Sequence, residues 1–186
     1  MNLEQSLNEF ITPVYSQIRQ SPASFKTVSV YSSNQITQLI IAYNNVVNDQ
    51  QLLREMRNNI DYLLRRYHKF CIKNRNGISA HYIEVGTDEK CDFEHLIPVA
   101  RLIDLLIDRI ITTEQALNAP TVQLSKSKHI QLNEAGWGCQ TPDMWLPFVR
   151  YSNVFDTKFQ TYDGTDIDPT TWTLENHFNY FKHLVI

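Results

Sequence analysis

The 186-residue chain has few of the residues that mark fibrous, low-complexity or disulfide-rich proteins. Five glycines and seven prolines exclude a collagen-like or low-complexity chain. Three cysteines, Cys71, Cys91 and Cys139, are an odd number without CxxC spacing, which excludes a disulfide framework and argues against a zinc ribbon. No apolar run approaches the roughly 18 residues that a membrane span needs. The opening segment lacks the basic and apolar regions of a signal peptide, so we expect an intracellular, cytoplasmic protein.

The chain is rich in residues that build a hydrophobic core. Nine phenylalanines, nine tyrosines and three tryptophans are typical of a globular domain of this length. The formal net charge of -3 argues against a protein coated with basic residues for nucleic acid. Seven basic residues are nevertheless concentrated in residues 51–75, with only Glu55 and Asp61 beside them. This segment is either an electrostatic footprint for phosphate or a solvated helix face.

Hydrophobic periodicity predicts a helical N-terminal part over residues 1–76. Its clearest helix covers residues 52–71, where apolar side chains recur at intervals of three and four. Arg66, Lys69 and Lys73 recur at the same intervals on another face of that helix. If this segment binds phosphate, these three cations are the candidate contacts to a nucleic-acid backbone.

Two stretches outside that helix predict loop or strand. Residues 21–30 are rich in small and turn-forming side chains, which favour a loop or a short strand. Residues 78–85 are β-branched and aromatic, and a polar turn with a glycine separates them from residues 91–98. Residues 78–85 and 91–98 therefore predict the two strands of a β-hairpin.

A strand and two helices are predicted to follow the hairpin. Apolar residues over 99–111 predict a helix, and residues 120–124 predict a short strand. Ser125 is a potential N-cap and Gly136 a potential terminator, which together predict a helix over residues 126–134.

These elements predict an α+β fold in which the helical N-terminal part packs on a small β-hairpin-plus-helix core. The core covers residues 77–136 and contains an inserted helix. Residues 137–186 predict an irregular, aromatic-rich tail that ends in a helix, and all three parts are expected to form one compact unit. Its aromatic residues are either core residues or a platform on which bases stack.

Side chains able to bind a metal or transfer a proton occur at two places in the predicted core. Glu94 and His95 adjoin at the end of a predicted strand, followed by Ile97 and Pro98. His129 and Asn133 are four residues apart on the predicted helix, so both project from one face. This order of strand pair, connection and metal-competent helix resembles the HNH, or ββα-metal, endonucleases, in particular small phage-encoded ones. The resemblance covers residues 78–136 and implies a metal-dependent endonuclease that acts on DNA, in the host cytoplasm if the chain is phage-encoded.

The resemblance implies a role for each of these residues. Glu94 and His129 would hold one Mg²⁺, Mn²⁺ or Zn²⁺, and His95 would be the general base. Asn133 would be a third ligand or a positioning group, and Asn118, in the connection, is the rival for the family's middle asparagine. Carboxylate and imidazole donors suit these cations, and a histidine of near-neutral pKa suits proton removal from water.

Each of these residues also has a structural interpretation. An isolated histidine at a strand end, such as His95, is often a hydrogen-bonded structural residue, and His129 can belong to a solvated helix face. Arg150 either reaches a phosphate or pairs with an acidic side chain. Two other functions therefore stay open, a non-catalytic nucleic-acid- or protein-binding module and a small-molecule hydrolase that uses the same metal.

Overall fold

The computed structural model describes residues 23–72 and 80–184. Within them the chain is a mixed α+β structure with seven α-helices and a five-stranded sheet, which confirms the predicted α+β class. The helices are α1 (Ala23–Asn45), α2 (Gln50–Tyr67), α3 (Val99–Ile107), α4 (Thr113–Leu117), α5 (Lys126–Glu134), α6 (Val149–Ser152) and α7 (Leu174–Tyr180). A π-helical turn, His68–Ile72, continues α2, and a 3₁₀ turn, Lys182–Leu184, follows α7. No helix in these residues combines the length and hydrophobicity needed to cross a membrane.

The sheet has the strand order β2-β3-β1-β4-β5. Its strands are β1 (Tyr82–Glu84), β2 (Cys91–His95), β3 (Thr121–Ser125), β4 (Phe159–Thr161) and β5 (Asp166–Ile167). β1 and β3 are parallel, whereas all other neighbouring strands are antiparallel. β2 is therefore an edge strand, and the sheet places β3 between it and β1.

The predicted hairpin between residues 78–85 and 91–98 is wrong. β1 and β2 are not neighbours, because β3 pairs with both of them. Four of the five residues of β3 are buried, which is typical of a strand covered on both faces. A long connection brings β3 to β2, so closeness in sequence did not decide this pairing.

The chain divides into two compact units. Of the described residues, the helical unit comprises 23–72 and 103–117, and the sheet unit comprises 80–102 and 118–184. The inserted segment that the sequence assigned to the core thus contributes α4 and most of α3 to the helical unit.

The helical unit contains a continuous α1 where the sequence predicted a loop or strand over residues 21–30. That prediction is wrong from Ala23 onward, since Val28, Ser32 and Ile36 recur every four residues and are all buried. Tyr67 of α2 donates a hydrogen bond to the Ser29 hydroxyl at 3.3 Å. Burial of this stripe outweighs the low helix propensity of the serines and valines.

The sheet unit is held by a core that draws heavily on the predicted tail. Its buried members are Tyr82, Leu96, Val122, Leu124, Leu132, Phe148, Tyr151, Phe159, Ile167, Phe181 and Leu184. Residues 137–186 are not an irregular tail as predicted, because β4 and β5 extend the sheet. The predicted terminal helix is confirmed as α7, which begins with a reciprocal capping box between Thr173 and Asn176.

Candidate metal centre

The strand β2 directs alternate side chains to opposite faces of the sheet. Asp92 and Glu94 share one face, and Glu94 lies opposite the buried Val122 of β3. Phe93 and His95 share the other face, where their rings meet edge to face at 5.5 Å between centroids. The two carboxylates are therefore paired by strand geometry, while the histidine next to them in sequence points away.

The helix α5 follows β3 without an intervening residue, and its start is held by carboxylates from other segments. Ser125 occupies the N-cap position, but its side chain makes no capping hydrogen bond. Glu84 accepts the Ser125 N–H at 2.7 Å, and Glu89 accepts the Ser127 N–H at 3.2 Å and its hydroxyl at 2.9 Å. Negative charge at a helix N-terminus is favourable, so these contacts stabilise the start of α5.

The end of α5 is a Schellman motif. The Trp137 N–H donates to the Leu132 carbonyl at 2.9 Å, and the Gly136 N–H donates to the Asn133 carbonyl at 3.0 Å. Gly136 has φ of +82°, which glycine adopts with no steric cost. The predicted helix over residues 126–134 is confirmed, with Gly136 as its terminator.

These two elements bring His129 of α5 between the carboxylates of β2. Its Nδ1 lies 3.6 Å from Asp92 Oδ2, and its Nε2 lies 3.6 Å from Glu94 Oε2. Both separations exceed a hydrogen bond. The side chains are partly exposed, by 32% for His129, 43% for Asp92 and 16% for Glu94, so water and small ions reach them.

The separation of Glu94 and His129 suits two ligands of one cation. Atoms bound at roughly 2.0–2.2 Å to the same ion are about 3.0–3.6 Å apart for bond angles of roughly 90–120°. Asp92 faces the other ring nitrogen of His129, where metal-binding histidines typically have a carboxylate partner. The donors present therefore fit a divalent cation between Glu94 Oε2 and His129 Nε2.

Arg150 anchors Glu94 from inside the protein. Its side chain is fully buried, and Nη2 donates to Glu94 Oε1 at 2.7 Å, the His95 carbonyl at 2.5 Å and the Tyr151 hydroxyl at 2.8 Å. Burial by itself lowers the pKa of Arg150, but the interactions with Tyr151 and Glu94 raise it by a larger amount. The net pKa lies above the usual value, so the guanidinium stays charged. Of the two roles open to Arg150 from sequence, the geometry corresponds to pairing with an acid and leaves no surface for a phosphate.

His95, predicted as the general base, does not join the cluster. It projects from the opposite face of β2 to Glu94 and is only 9% exposed. Its main chain does contribute, since its carbonyl accepts the bond from Arg150. The structure thus separates the adjacent pair on which the sequence prediction depended.

Asn118, the rival asparagine, lies in a buried histidine cluster of the sheet unit. Its side-chain oxygen accepts from His81 Nε2 at 3.2 Å, and its carbonyl accepts from His177 Nε2 at 2.7 Å. Thr121 occupies the other nitrogen of His81, and Tyr82 the other nitrogen of His177. This geometry gives Asn118 a structural role, because both of its oxygens are engaged inside the core.

Asn133 lies at the end of α5, one turn beyond His129. Its carbonyl closes the helix terminus, and its side-chain oxygen packs so closely on Gly138 that an added Cβ there would lie 2.0 Å from Oδ1. The residue is exposed, and its side chain makes no hydrogen bond to Asp92 or Glu94. This position gives Asn133 a structural role at the end of the helix.

Of the predicted nucleic-acid contacts, Arg66 and Lys69 lie in the helical unit and Arg150 is buried in the sheet unit. Lys69 is exposed, and the Arg66 guanidinium stacks over the Tyr62 ring at 5.7 Å. These residues line a surface groove of about 320 Å³ together with Asn58, Asp61 and Arg65. Lys73 lies outside the described residues.

Asp92 is the member of this centre that sequence reasoning missed. The signal was present, since residues two apart on a strand share a face and Glu94 was already a candidate ligand. Across residues 23–72 and 80–184, no group of three or more His, Cys, Asp and Glu side chains is placed to hold a metal ion. Among the described residues this centre has two donors, Glu94 and His129, and water or a substrate oxygen would complete the coordination.

Comparison with known proteins finds no matching family model, no matching curated protein and no matching solved structure.

Proposed function

We propose that the chain is a divalent-metal-dependent endonuclease that hydrolyses DNA phosphodiester bonds at Glu94 and His129. The observation that carries the proposal is the meeting of these two side chains at 3.6 Å, although they come from separate segments. Both are the ligands that the resemblance to HNH endonucleases implies. The antiparallel pair of β2 and β3, followed directly by α5, supports the same assignment.

The protein residues hold and orient the reacting groups. Glu94 and His129 provide one oxygen and one nitrogen, which leaves coordination positions for water and a phosphate oxygen. When bound, the cation supplies Lewis acidity to the phosphate and lowers the pKa of a coordinated water. The proposal departs from the sequence prediction in the base, because His95 faces away from this centre.

The groove on α2 supports DNA as the substrate. Arg66 and Lys69 place two cationic side chains beside the aromatic ring of Tyr62, a combination suited to phosphate and base contacts. The formal net charge of -3 means that backbone contacts must come from such a local patch.

The test is relaxation of supercoiled plasmid with Mg²⁺, Mn²⁺ or Zn²⁺. We expect metal-dependent nicking by the wild type, and a loss of at least roughly 100-fold in Glu94→Gln and His129→Ala. Two exposed residues of the sheet unit provide matched controls, Glu175→Gln and His183→Ala, which should nick like the wild type. Circular dichroism confirms that each variant is folded.

The variant His95→Ala separates the two possible bases. If folded His95→Ala nicks normally, the water is activated without this imidazole, as the geometry implies. If nicking is lost only in folded His95→Ala, His95 is the base and the centre at Glu94 and His129 is wrongly assigned.

A non-catalytic nucleic-acid- or protein-binding module is the second candidate function. The contacts of His129 with both Asp92 and Glu94 favour it, because they account for these side chains without a cation. His129 would then link α5 to β2 as a polar contact between two carboxylates. DNA or protein binding without nicking under any of the three metals would support this candidate.

A further inference from the structure

We propose that Arg150 and Asp92 are positioning residues that select which atoms of Glu94 and His129 bind the cation. The inference depends on the proposed metal centre and extends it, since neither residue touches the cation itself. Arg150 occupies Glu94 Oε1 and leaves Oε2 toward His129. Asp92 faces His129 Nδ1 and leaves Nε2 toward Glu94.

Arg150 can fix the orientation of Glu94 because its own orientation is determined by several contacts. Its guanidinium is planar, and donors on both terminal nitrogens are engaged by Glu94, the His95 carbonyl, the Tyr151 hydroxyl and the Trp137 carbonyl. The guanidinium carbon also lies 4.8 Å from the centroid of the Tyr151 ring. Rotation of the Glu94 carboxylate would break a charge-assisted bond to a fully buried cation, which is costly.

The main chain of Trp137 connects the two ligands. Its N–H closes the end of α5, the helix that carries His129, by donating to Leu132. Its carbonyl accepts from Arg150 Nη1 at 3.0 Å, and Arg150 holds Glu94. The main chain of Trp137 therefore helps to fix the positions of both ligands. The 3.6 Å separation of Glu94 and His129 thus does not depend on side-chain packing alone.

Asp92 favours one tautomer of His129. A proton on Nδ1 is directed at the Asp92 carboxylate, which leaves the lone pair on Nε2, the nitrogen that faces Glu94. Carboxylates behind metal-binding histidines commonly have this effect, and their loss weakens metal binding roughly 10- to 100-fold. At 3.6 Å the present contact is longer than a hydrogen bond, so cation binding is expected to draw the ring and carboxylate together.

The experiment measures Mn²⁺ affinity of the full chain by calorimetry and by electron paramagnetic resonance. We expect Asp92→Asn and Arg150→Lys each to weaken binding roughly 10- to 100-fold. The lysine keeps the charge of Arg150 but loses its planar set of donors. The matched control is Arg57→Lys, since Arg57 pairs with Asp104 at 2.6 Å in the helical unit and should leave Mn²⁺ affinity unchanged.

Nitrogen-15 NMR of the His129 ring distinguishes positioning from a general loss of stability. In the metal-free wild type, where Asp92 and Glu94 each face one ring nitrogen at 3.6 Å, we expect both tautomers, and in Asp92→Asn a shift toward Nε2–H. A variant that is only less stable would keep the wild-type tautomer ratio in its folded fraction. Asp92 is 43% exposed, so this variant is expected to fold even if Arg150→Lys does not.

Each outcome distinguishes this inference from the proposed function. Weaker Mn²⁺ binding in both site variants, with an unchanged Arg57→Lys, supports the positioning roles. If the wild type binds Mn²⁺ and both site variants bind equally well, the positioning inference is wrong and the metal centre stands. If the wild type does not bind Mn²⁺, the proposed metal centre fails and this inference fails with it.

Discussion

At the scale of single residues, the partly exposed side chains of the candidate site are separate from the buried side chains that stabilise the sheet unit. Asp92, Glu94 and His129 are partly exposed and meet at one face of the edge strand β2. Asn118 and its two histidines are buried, and both nitrogens of each ring have a partner. A candidate site therefore depends on which face of a strand a residue occupies more than on which residue type it is.

The role of Asn118 is tested by Asn118→Ala. The variant removes the acceptor of His81 Nε2 inside the core, and an unsatisfied buried donor costs about 1–3 kcal/mol. We expect a loss of that size in the free energy of unfolding, measured with urea, and unchanged nicking by the folded protein. Asn153→Ala removes an exposed asparagine and should cost little. Unchanged stability together with lost nicking would return Asn118 to the catalytic group.

At the scale of elements, the sequence predicted what local signals determine. The helix α5 was predicted with its bounds, because Ser125 and Gly136 mark its ends. The start of α1 was missed because its serines and valines favour other structures, and only burial against α2 makes them helical. The pairing of β2 with β3 was also missed, since a short polar turn favours a hairpin and no local signal reports a partner across a long connection.

The candidate site was predictable to the same extent. The family resemblance implied Glu94 and His129 as candidate ligands, and strand alternation would have added Asp92. The same alternation explains why His95 lies away from the centre, because it places neighbours in sequence on opposite faces of the strand. Arg150 could not be assigned to Glu94, because the aromatic core that buries it comes from strands and helices that the sequence presented as an irregular tail.

The terminator of α5 gives a prediction at this scale, Gly136→Ala. An alanine at φ of +82° lowers the free energy of unfolding by about 1–2 kcal/mol. A backbone shift that relieves this strain would weaken the hydrogen bond from the Trp137 N–H to the Leu132 carbonyl, which ends the helix. We expect a stability loss of that size and weaker Mn²⁺ binding, because Trp137 also holds Arg150.

The matched control is Gly86→Ala, which has φ of +78° in a turn with open space around it. It should cost similar stability and leave Mn²⁺ affinity unchanged. Equal metal affinity in the two variants would contradict the link between the helix end and the site.

At the scale of the whole molecule, each unit has a fully buried histidine that resists protonation. His68 of the helical unit donates to the Ala116 carbonyl at 2.9 Å, and His177 of the sheet unit donates to Asn118. Burial lowers the pKa of each from 6.5 to about 4. Above pH 6.5 these histidines are neutral in both folded and unfolded chains, so neither contributes to pH dependence there.

Stability is therefore expected to fall as the pH decreases from about 6.5 to 4. In this range the unfolded chain binds protons that the folded chain does not, so each histidine lowers the free energy of unfolding by about 1.4 kcal/mol per pH unit. Between pH 7 and pH 5 the loss is about 2 kcal/mol for each histidine. Urea unfolding at pH 7, 6 and 5 measures this loss of stability. Tryptophan fluorescence follows the sheet unit, which contains Trp137, Trp145 and Trp172.

The variant His177→Gln assigns the effect to its residue. The loss of stability between pH 7 and pH 5 should be about 2 kcal/mol smaller in the fluorescence transition of this variant. Its stability at pH 7 is lower because the bonds to Tyr82 and Asn118 change. His183→Gln, which removes an exposed imidazole, controls for the substitution itself. If the wild type is equally stable at pH 7 and pH 5, its buried histidines are protonated or solvated in the folded state. The closed hydrogen-bond cluster around His177 would then be wrong, and with it the structural role of Asn118.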